Sequence, residues 1–139
     1  MMTEAMPVAF LTPEQEAAMK ASIPWADLDR DIRYFILDFS RIPGLATVSS
    51  CAGHIRINAE GFLDVDRAYI TLCVSREMAM RLLFNAVPRA QIDCVQISYY
   101  EDNSMRITLE CDPAERDKLG RLAAILLGSR HDTSRTPNE

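Results

Sequence analysis

The sequence predicts an α+β domain, with a mainly antiparallel four-stranded sheet, helices packed on one face, and the order α-α-β-β-α-β-β-α. Three observations lead to this fold class. Four short strand-like segments alternate with amphipathic helical segments. Ile70-Thr71-Leu72 and Ile107-Thr108-Leu109 each lead through a helix cap into a helix, which indicates two β-β-α units. The 139 residues, 48% of them hydrophobic, suffice for one core.

The first two elements are predicted helices. Thr12, followed by Pro13 and Gln15, matches a capping box with proline at the first helical position, and this helix should end near Ile23-Pro24. A second helix is expected from about Trp25 to Ser40. Its apolar residues recur at spacings of three and four and predict one buried stripe: Leu28, Ile32, Phe35, Ile36 and Phe39.

The next segments alternate as strands do. Leu45–Cys51 is a strand candidate, and Ile55–Ile57 is expected to continue it after a kink at Gly53. Asn58–Asp66 is predicted to be a polar loop, and Ala68–Val74 a clearer strand.

The second half of the chain contains a helix and a hairpin. Ser75 is a suitable cap for a helix over Arg76–Ala86, which Pro88 should end. The hairpin is predicted from strands Ile92–Tyr100 and Met105–Cys111, the latter with a half-buried alternation.

The last element is a helix opened by the capping signature at Asp112 and expected to run to about Leu127, with Gly128 as its stop. The prediction is therefore a single domain over residues 1–128. Residues 129–139 are expected to form a disordered tail.

Composition narrows the functional classes. A net charge of −5 disfavours a long polynucleotide as partner. Nearly all the cations are arginines, which suit discrete phosphates and carboxylates. No apolar run approaches the length of a membrane span, and Met1–Leu11 lacks the pattern of a secretory signal, so a soluble cytoplasmic protein is expected. Cys73, Cys94 and Cys111 should be buried free thiols.

The stretch Thr47–Ile57 holds the densest group of hydrogen-bonding and reactive side chains. Its glycine permits a sharp turn and a close backbone approach, its hydroxyls can donate to phosphate or ribose oxygens, and its histidine titrates near neutral pH. The predicted ligand-binding residues are Ser49, Ser50, Cys51, Gly53, His54 and Arg56.

Other interpretations of this stretch remain open. Cys51 could be a nucleophile if His54 or an arginine stabilised its thiolate. Cys51-x-x-His54 offers two metal ligands, but structural zinc needs four, so no metal is predicted. An ordinary strand end is the simplest alternative. Elsewhere, Tyr99, Tyr100 and Arg106 lie where they could stack on a base.

The motif T-x-S-S-C-x-G, here Thr47 to Gly53, resembles the wybutosine-synthesis protein 3 family of tRNA-modifying methyltransferases. The resemblance covers roughly Asp31–Val74, and the family has an arginine where His54 stands. It implies that Ser49, Ser50, Cys51 and Gly53 line a site for S-adenosylmethionine or the modified base. The S-C-x-G-H segment after the P-G turn is also similar to one in small phage proteins.

These observations predict a small binding protein rather than an enzyme, with no catalytic residue assigned and no cofactor. The expected ligand is nucleotide-like or otherwise anionic, held at the Ser49–Arg56 loop, and the protein is expected to be a homo-oligomer. If it is a phage protein, it could sequester a nucleotide signal of host defence. The alternative is a tRNA-modification methyltransferase-like protein that uses S-adenosylmethionine.

Overall fold

The computed structural model describes residues 7–132, and their side chains as far as residue 128. The helices are α1 (Pro13–Ala21), α2 (Arg30–Ser40), α3 (Arg76–Arg81), α4 (Val87–Ala90) and α5 (Asp117–Asp132). The strands are β1 (Leu45–Cys51), β2 (His54–Ile57), β3 (Leu63–Asp66), β4 (Ala68–Val74), β5 (Cys94–Tyr99) and β6 (Met105–Cys111).

The predicted α+β fold with a four-stranded antiparallel sheet is confirmed. The sheet has the order β1-β4-β6-β5, and every neighbouring pair is antiparallel. On β6, Met105, Ile107 and Leu109 are buried and alternate with half-buried residues, so one face of the strand enters the core. Between the described ends of the chain, no helix is long and apolar enough to cross a bilayer.

The segment before α1 and α1 itself are tied to distant parts of the chain. Ala9 forms an isolated parallel bridge with Ser104, and the Leu11 N–H donates to the Val74 carbonyl at 2.9 Å. In α1, Lys20 Nζ donates to the Ile42 carbonyl at 2.8 Å. The predicted capping box is present: Thr12 Oγ1 accepts from the Gln15 N–H.

Two predicted helices have different boundaries in the structure. Trp25–Asp27 is a separate 3-10 turn, and α2 begins only after Asp29, whose carboxylate accepts from the Asp31 N–H at 3.2 Å and thereby caps the helix. The helix predicted to stop before Pro88 continues through a π-helical turn, Leu82–Ala86, into α4. The wider π turn accommodates a proline that lacks a backbone donor.

The last helix also differs from its prediction. A 3-10 turn, Pro113–Glu115, precedes α5, which passes Gly128 and continues to Asp132. The rest of the predicted tail, residues 133–139, lies outside the described residues.

The largest difference is the hairpin β2–β3. Ile55–Ile57 does not continue β1, because Gly53 adopts a φ of +76° and redirects the chain. His54 then pairs with Asp66 and Ile57 with Leu63, in the region predicted to be a polar loop. Asn58 closes the turn, since its side-chain oxygen accepts from the N–H groups of Glu60 and Phe62, each at 3.0 Å.

Candidate functional site

The end of β1 is shaped by a bulge at Val48. The register shifts between Thr47 and Ser49, so Ser50 rather than Ser49 lies opposite Ile70. Because directly opposed residues share a face of the sheet, Ser50 lies on the same face as the buried Ile70. The bulge therefore determines which serine shares that face.

Gly53 connects β1 to the hairpin at a crowded point. A Cβ built there would lie 2.7 Å from the Asp66 carbonyl oxygen, 2.7 Å from Pro113 Cγ and 2.8 Å from the Ala68 nitrogen. Both the positive φ and this close backbone approach require glycine. The hairpin is thus held against the beginning of β4 and the turn after β6.

The six predicted ligand-binding residues do not line a single pocket. Ser49 and Ser50 line what we call the serine cavity, about 390 Å³ in volume and mostly apolar, together with Met19, Ser22, Ile23, Pro24, Leu28, Ile36, Thr47 and Val48. Gly53, His54 and Arg56 line a separate opening, the arginine cleft, about 480 Å³ in volume, together with Asp31, Ile55, Pro113, Ala114 and Arg116. The segment from Leu28 to Asp31 contributes to both.

Each basic side chain of the arginine cleft lies near a carboxylate. Arg56 contacts Asp64 (Nε to Oδ2, 3.4 Å) and Asp66 (Nη2 to Oδ2, 3.3 Å), its neighbours across the hairpin. His54 Nε2 lies 3.7 Å from the Asp29 carboxylate, which also caps α2. These pairs are exposed, so each contributes little to stability and can exchange partners with a ligand.

Arg116 is the main residue of the cleft that sequence reasoning missed. Its Nη1 donates to the Ala52 carbonyl at 3.2 Å, and its Nη2 lies 3.6 Å from Asp31 Oδ2. The only signal in the sequence was the capping signature at Asp112, which brings Arg116 to the end of the sheet where β6 stops. Its proximity to Arg56 follows from the strand order β1-β4-β6.

Cys51 is bonded to the turn rather than to a catalytic base. Its Sγ accepts from the Gly53 N–H at 3.4 Å, while His54 is paired with Asp29. No hydrogen bond joins the Cys51 thiol to the His54 imidazole in the part of the chain that the structure describes. That part also contains no group of three or more histidine, cysteine or acidic side chains arranged to hold a metal.

The other cysteines fit the predicted free thiols, with one difference. Cys73 and Cys111 are buried, and burial raises the pKa of the Cys111 thiol to about 11. Cys94 is only half-buried; its Sγ–H donates to Glu110 at 3.1 Å, and this hydrogen bond is the main cause of its raised pKa.

The chain is a small α+β protein in which a mostly apolar cavity and a charged cleft lie near the end of β1. No family model and no curated protein matches the sequence. A solved structure, "Structure of PH1069 protein from Pyrococcus horikoshii", is similar with a TM-score of 0.55 at 11% identity, over 81% of this chain and 92% of that one. At this identity the likeness shows the fold alone.

Proposed function

We propose that this protein binds a nucleotide-like ligand whose phosphate lies in the arginine cleft. The observation that carries the proposal is the convergence of Arg56 and Arg116, from distant parts of the sequence, on one opening beside the backbone of Gly53. Guanidinium forks bind phosphate oxygens in pairs.

The carboxylates of the cleft are compatible with such a ligand. A phosphate would exchange with the carboxylates on Arg56, whose ion pairs are exposed, and on Arg116, whose ion pair is partly exposed. Asp31 would then accept hydrogen bonds from the ribose hydroxyls. A purely anionic ligand would instead be repelled, which is why we favour one that carries donors as well.

The serine cavity is suited to the apolar part of the ligand. Its walls include Ile23, Pro24 and Leu28, and Ser49 and Ser50 also line it. A base would be held by the apolar walls and read by the hydroxyls. We infer sequestration rather than turnover, because the Cys51 sulfur is hydrogen-bonded to the Gly53 N–H and not to the His54 imidazole. A phage protein that captures a nucleotide signal of host defence fits this chemistry.

The apolar face of the hairpin suggests how a homo-oligomer would form. Ile55, Ile57, Leu63 and Val65 share one face of β2–β3, all exposed, and Phe62 adjoins them; we call these five residues the hairpin patch. Their exposed surface is on the order of 600 Å², so two patches facing each other would bury about 1,200 Å², near the lower limit for a specific interface. Because Ile55 also lines the arginine cleft, a second copy here would stand at the cleft's edge.

Calorimetry with a panel of cyclic and linear nucleotides tests the ligand proposal. We expect Arg116→Gln to weaken binding about tenfold or more, since a charge-assisted hydrogen bond contributes about 1.5–3 kcal/mol. Arg56→Ala and His54→Ala should also weaken it. Arg41→Gln is the matched control, because Arg41 is an exposed arginine paired with Asp38 and lines neither opening. Absence of binding by the unaltered protein, or equal binding by Arg116→Gln and the control, would overturn the proposal.

Light scattering of the purified protein tests the hairpin interface. The double variant Ile57→Thr with Leu63→Thr keeps residues that favour strands while removing apolar surface, so we expect it to be monomeric. Phe84→Ser removes an equally exposed apolar side chain outside the patch and should leave the mass unchanged. A monomeric unaltered protein would rule out this interface.

The methyltransferase alternative is favoured by one observation, the mostly apolar serine cavity directly beside the S-S-C-x-G motif. It predicts affinity for S-adenosylmethionine and methyl incorporation into tRNA. Finding both would replace sequestration as the function, and finding neither would remove the alternative.

A further inference from the structure

A third cavity, separate from the two above, lies between α1 and the sheet. Its volume is about 210 Å³, and we call it the Arg106 cavity. It is lined on the helix side by Ala9, Phe10, Leu11, Gln15, Ala18 and Met19, and on the sheet side by Cys73, Asp102, Ser104, Met105 and Arg106. Neither the sequence motif nor the proposed function uses it.

Arg106 borders this cavity with a guanidinium group that is partly buried. Its Cζ lies 4.4 Å from the centroid of the Tyr100 ring, and its Nη1 contacts the Cys73 sulfur. Its Nε is buried and has no hydrogen-bond partner. Among the described residues, no carboxylate oxygen lies within ion-pair distance of its guanidinium, whereas Arg56 and Arg116 both have such partners.

Arg106 has no anion in direct contact, since the Asp102 carboxylate of the same cavity attracts it only from beyond ion-pair distance. Burial raises the pKa of the Cys73 thiol, so this sulfur is neutral near pH 7 and is a weak acceptor. The Tyr100 ring offers its face but no formal charge. A partly desolvated cation without an anion is costly, and proteins ordinarily supply a partner for it.

Asp102 limits which anionic ligand can bind next to Arg106. Its pKa lies below the ordinary value because the Ser104 hydroxyl is close and the Ser104 N–H donates to Oδ1 at 2.9 Å, so Asp102 is ionised near neutral pH. The Ser104 hydroxyl is buried beside this carboxylate. One carboxylate at the wall disfavours a doubly charged phosphate, and the apolar side of the cavity favours a ligand with a hydrocarbon part.

We propose that the Arg106 cavity binds a small monocarboxylate, with the carboxylate facing the Arg106 guanidinium and an apolar body against Phe10, Leu11 and Met19. The volume admits a chain of about five or six carbon atoms. An α-amino acid with an aliphatic side chain belongs to the same class, and its ammonium group would face Asp102. This site is independent of the arginine cleft.

Titration with 4-methylpentanoate, followed by thermal unfolding and by NMR of the arginine side chains, tests the site. We expect the Tm to rise with ligand concentration and the Arg106 Nε–H resonance to shift. Leucine should act in the same way, and the size of its effect relative to 4-methylpentanoate measures what Asp102 contributes. No response to either carboxylate at tens of millimolar would overturn the proposal. So would an equal response to 4-methylpentan-1-ol, which lacks the charge, or to inorganic phosphate.

Four variants locate the response. Arg106→Gln should abolish it; should that variant not fold, Ala18→Leu fills the cavity from the exposed side of α1 without changing any charge and should abolish it too. Arg116→Gln, which impairs the arginine cleft, should leave it intact, so failure of this site and failure of nucleotide binding are distinguishable. Glu4→Gln should also leave it intact; a shift of the Arg106 resonance in that variant without ligand would mean that the chain supplies its own carboxylate, which would overturn the proposal.

Discussion

Strands β4 and β2 are both built on alternating patterns with isoleucine, yet they have opposite environments. β4 lies between β1 and β6 in the sheet, and Ile70 and Leu72 are fully buried. β2 has one neighbour, β3, and all four of its residues are exposed, Ile57 by 74%. An alternating pattern therefore indicates that a segment forms a strand. How much its apolar residues contribute to stability depends on how many strands lie beside it and on whether helices cover its face.

The first test of this contrast uses the same substitution in both strands. Ile70→Ala should lower the free energy of unfolding by about 3–4 kcal/mol, because it leaves a cavity under the helices. Ile57→Ala should change it by about 0.5 kcal/mol or less. Urea denaturation of dilute protein, where self-association is negligible, measures both. Equal losses would mean that the hairpin is packed as tightly as the sheet.

The second test concerns the junction between the two regions. Gly53→Ala should destabilise the fold by about 3 kcal/mol, because its Cβ would overlap backbone atoms in addition to straining a positive φ. Gly61, at the hairpin turn, has a φ of +86°, and no atom lies within 4 Å of the position that an added methyl group would occupy. Gly61→Ala therefore isolates the cost of φ, about 1 kcal/mol. If both variants lose the same free energy of unfolding, the crowding at Gly53 does not contribute to the cost of the substitution.

The third test uses pH on the buried side. The Cys111 thiol has an ordinary pKa of 9.0 when unfolded and about 11 when folded, so the folded state holds its proton more tightly. The tighter binding of this proton adds about 2–3 kcal/mol to the free energy of unfolding. That stability is fully present below pH 9 and is lost as the pH rises to about 11. Cys111→Ala should remove that part of the alkaline destabilisation. Parallel pH profiles of the variant and the unaltered protein would contradict the expectation.

The fourth and smallest test compares polar contacts across strands. Thr71 and Thr108 share a hydrogen bond of 2.8 Å between β4 and β6, so Thr71→Val should cost about 1 kcal/mol. Arg56→Gln breaks ion pairs across the exposed hairpin and should cost about 0.5 kcal/mol or less. Thermal denaturation at low and high salt separates them, since only the ion pairs are screened. A larger loss of stability for Arg56→Gln than for Thr71→Val would mean that the ion pairs of the hairpin contribute more than exposed pairs ordinarily do.

The sequence predicted the sheet well because each of its strands alternates over several residues and ends at a turn signal. It missed β3, since Leu63 and Val65 alternate with Asp64 and Asp66 in a segment whose asparagine, glycine and charges resemble a loop. The local cluster around Gly53 could be found because its residues are adjacent in sequence. Arg116 and Asp31 could not be identified as residues of the cleft, because only the strand order brings them there. The bulge at Val48 left no distinguishable pattern, so the separate surroundings of Ser50 and His54 were not predictable either.

The bridge between Ala9 and Ser104 has a consequence for synthesis on the ribosome. Residues near the N-terminus emerge first, but their partners, Val74 and the turn before β6, emerge much later. Chains grow at about 5–20 residues per second, so the first segment waits several seconds without its native contacts. Slower translation of the second half would prolong that exposure, whereas a circular permutation that moved this segment after α5 would let it dock onto a finished sheet.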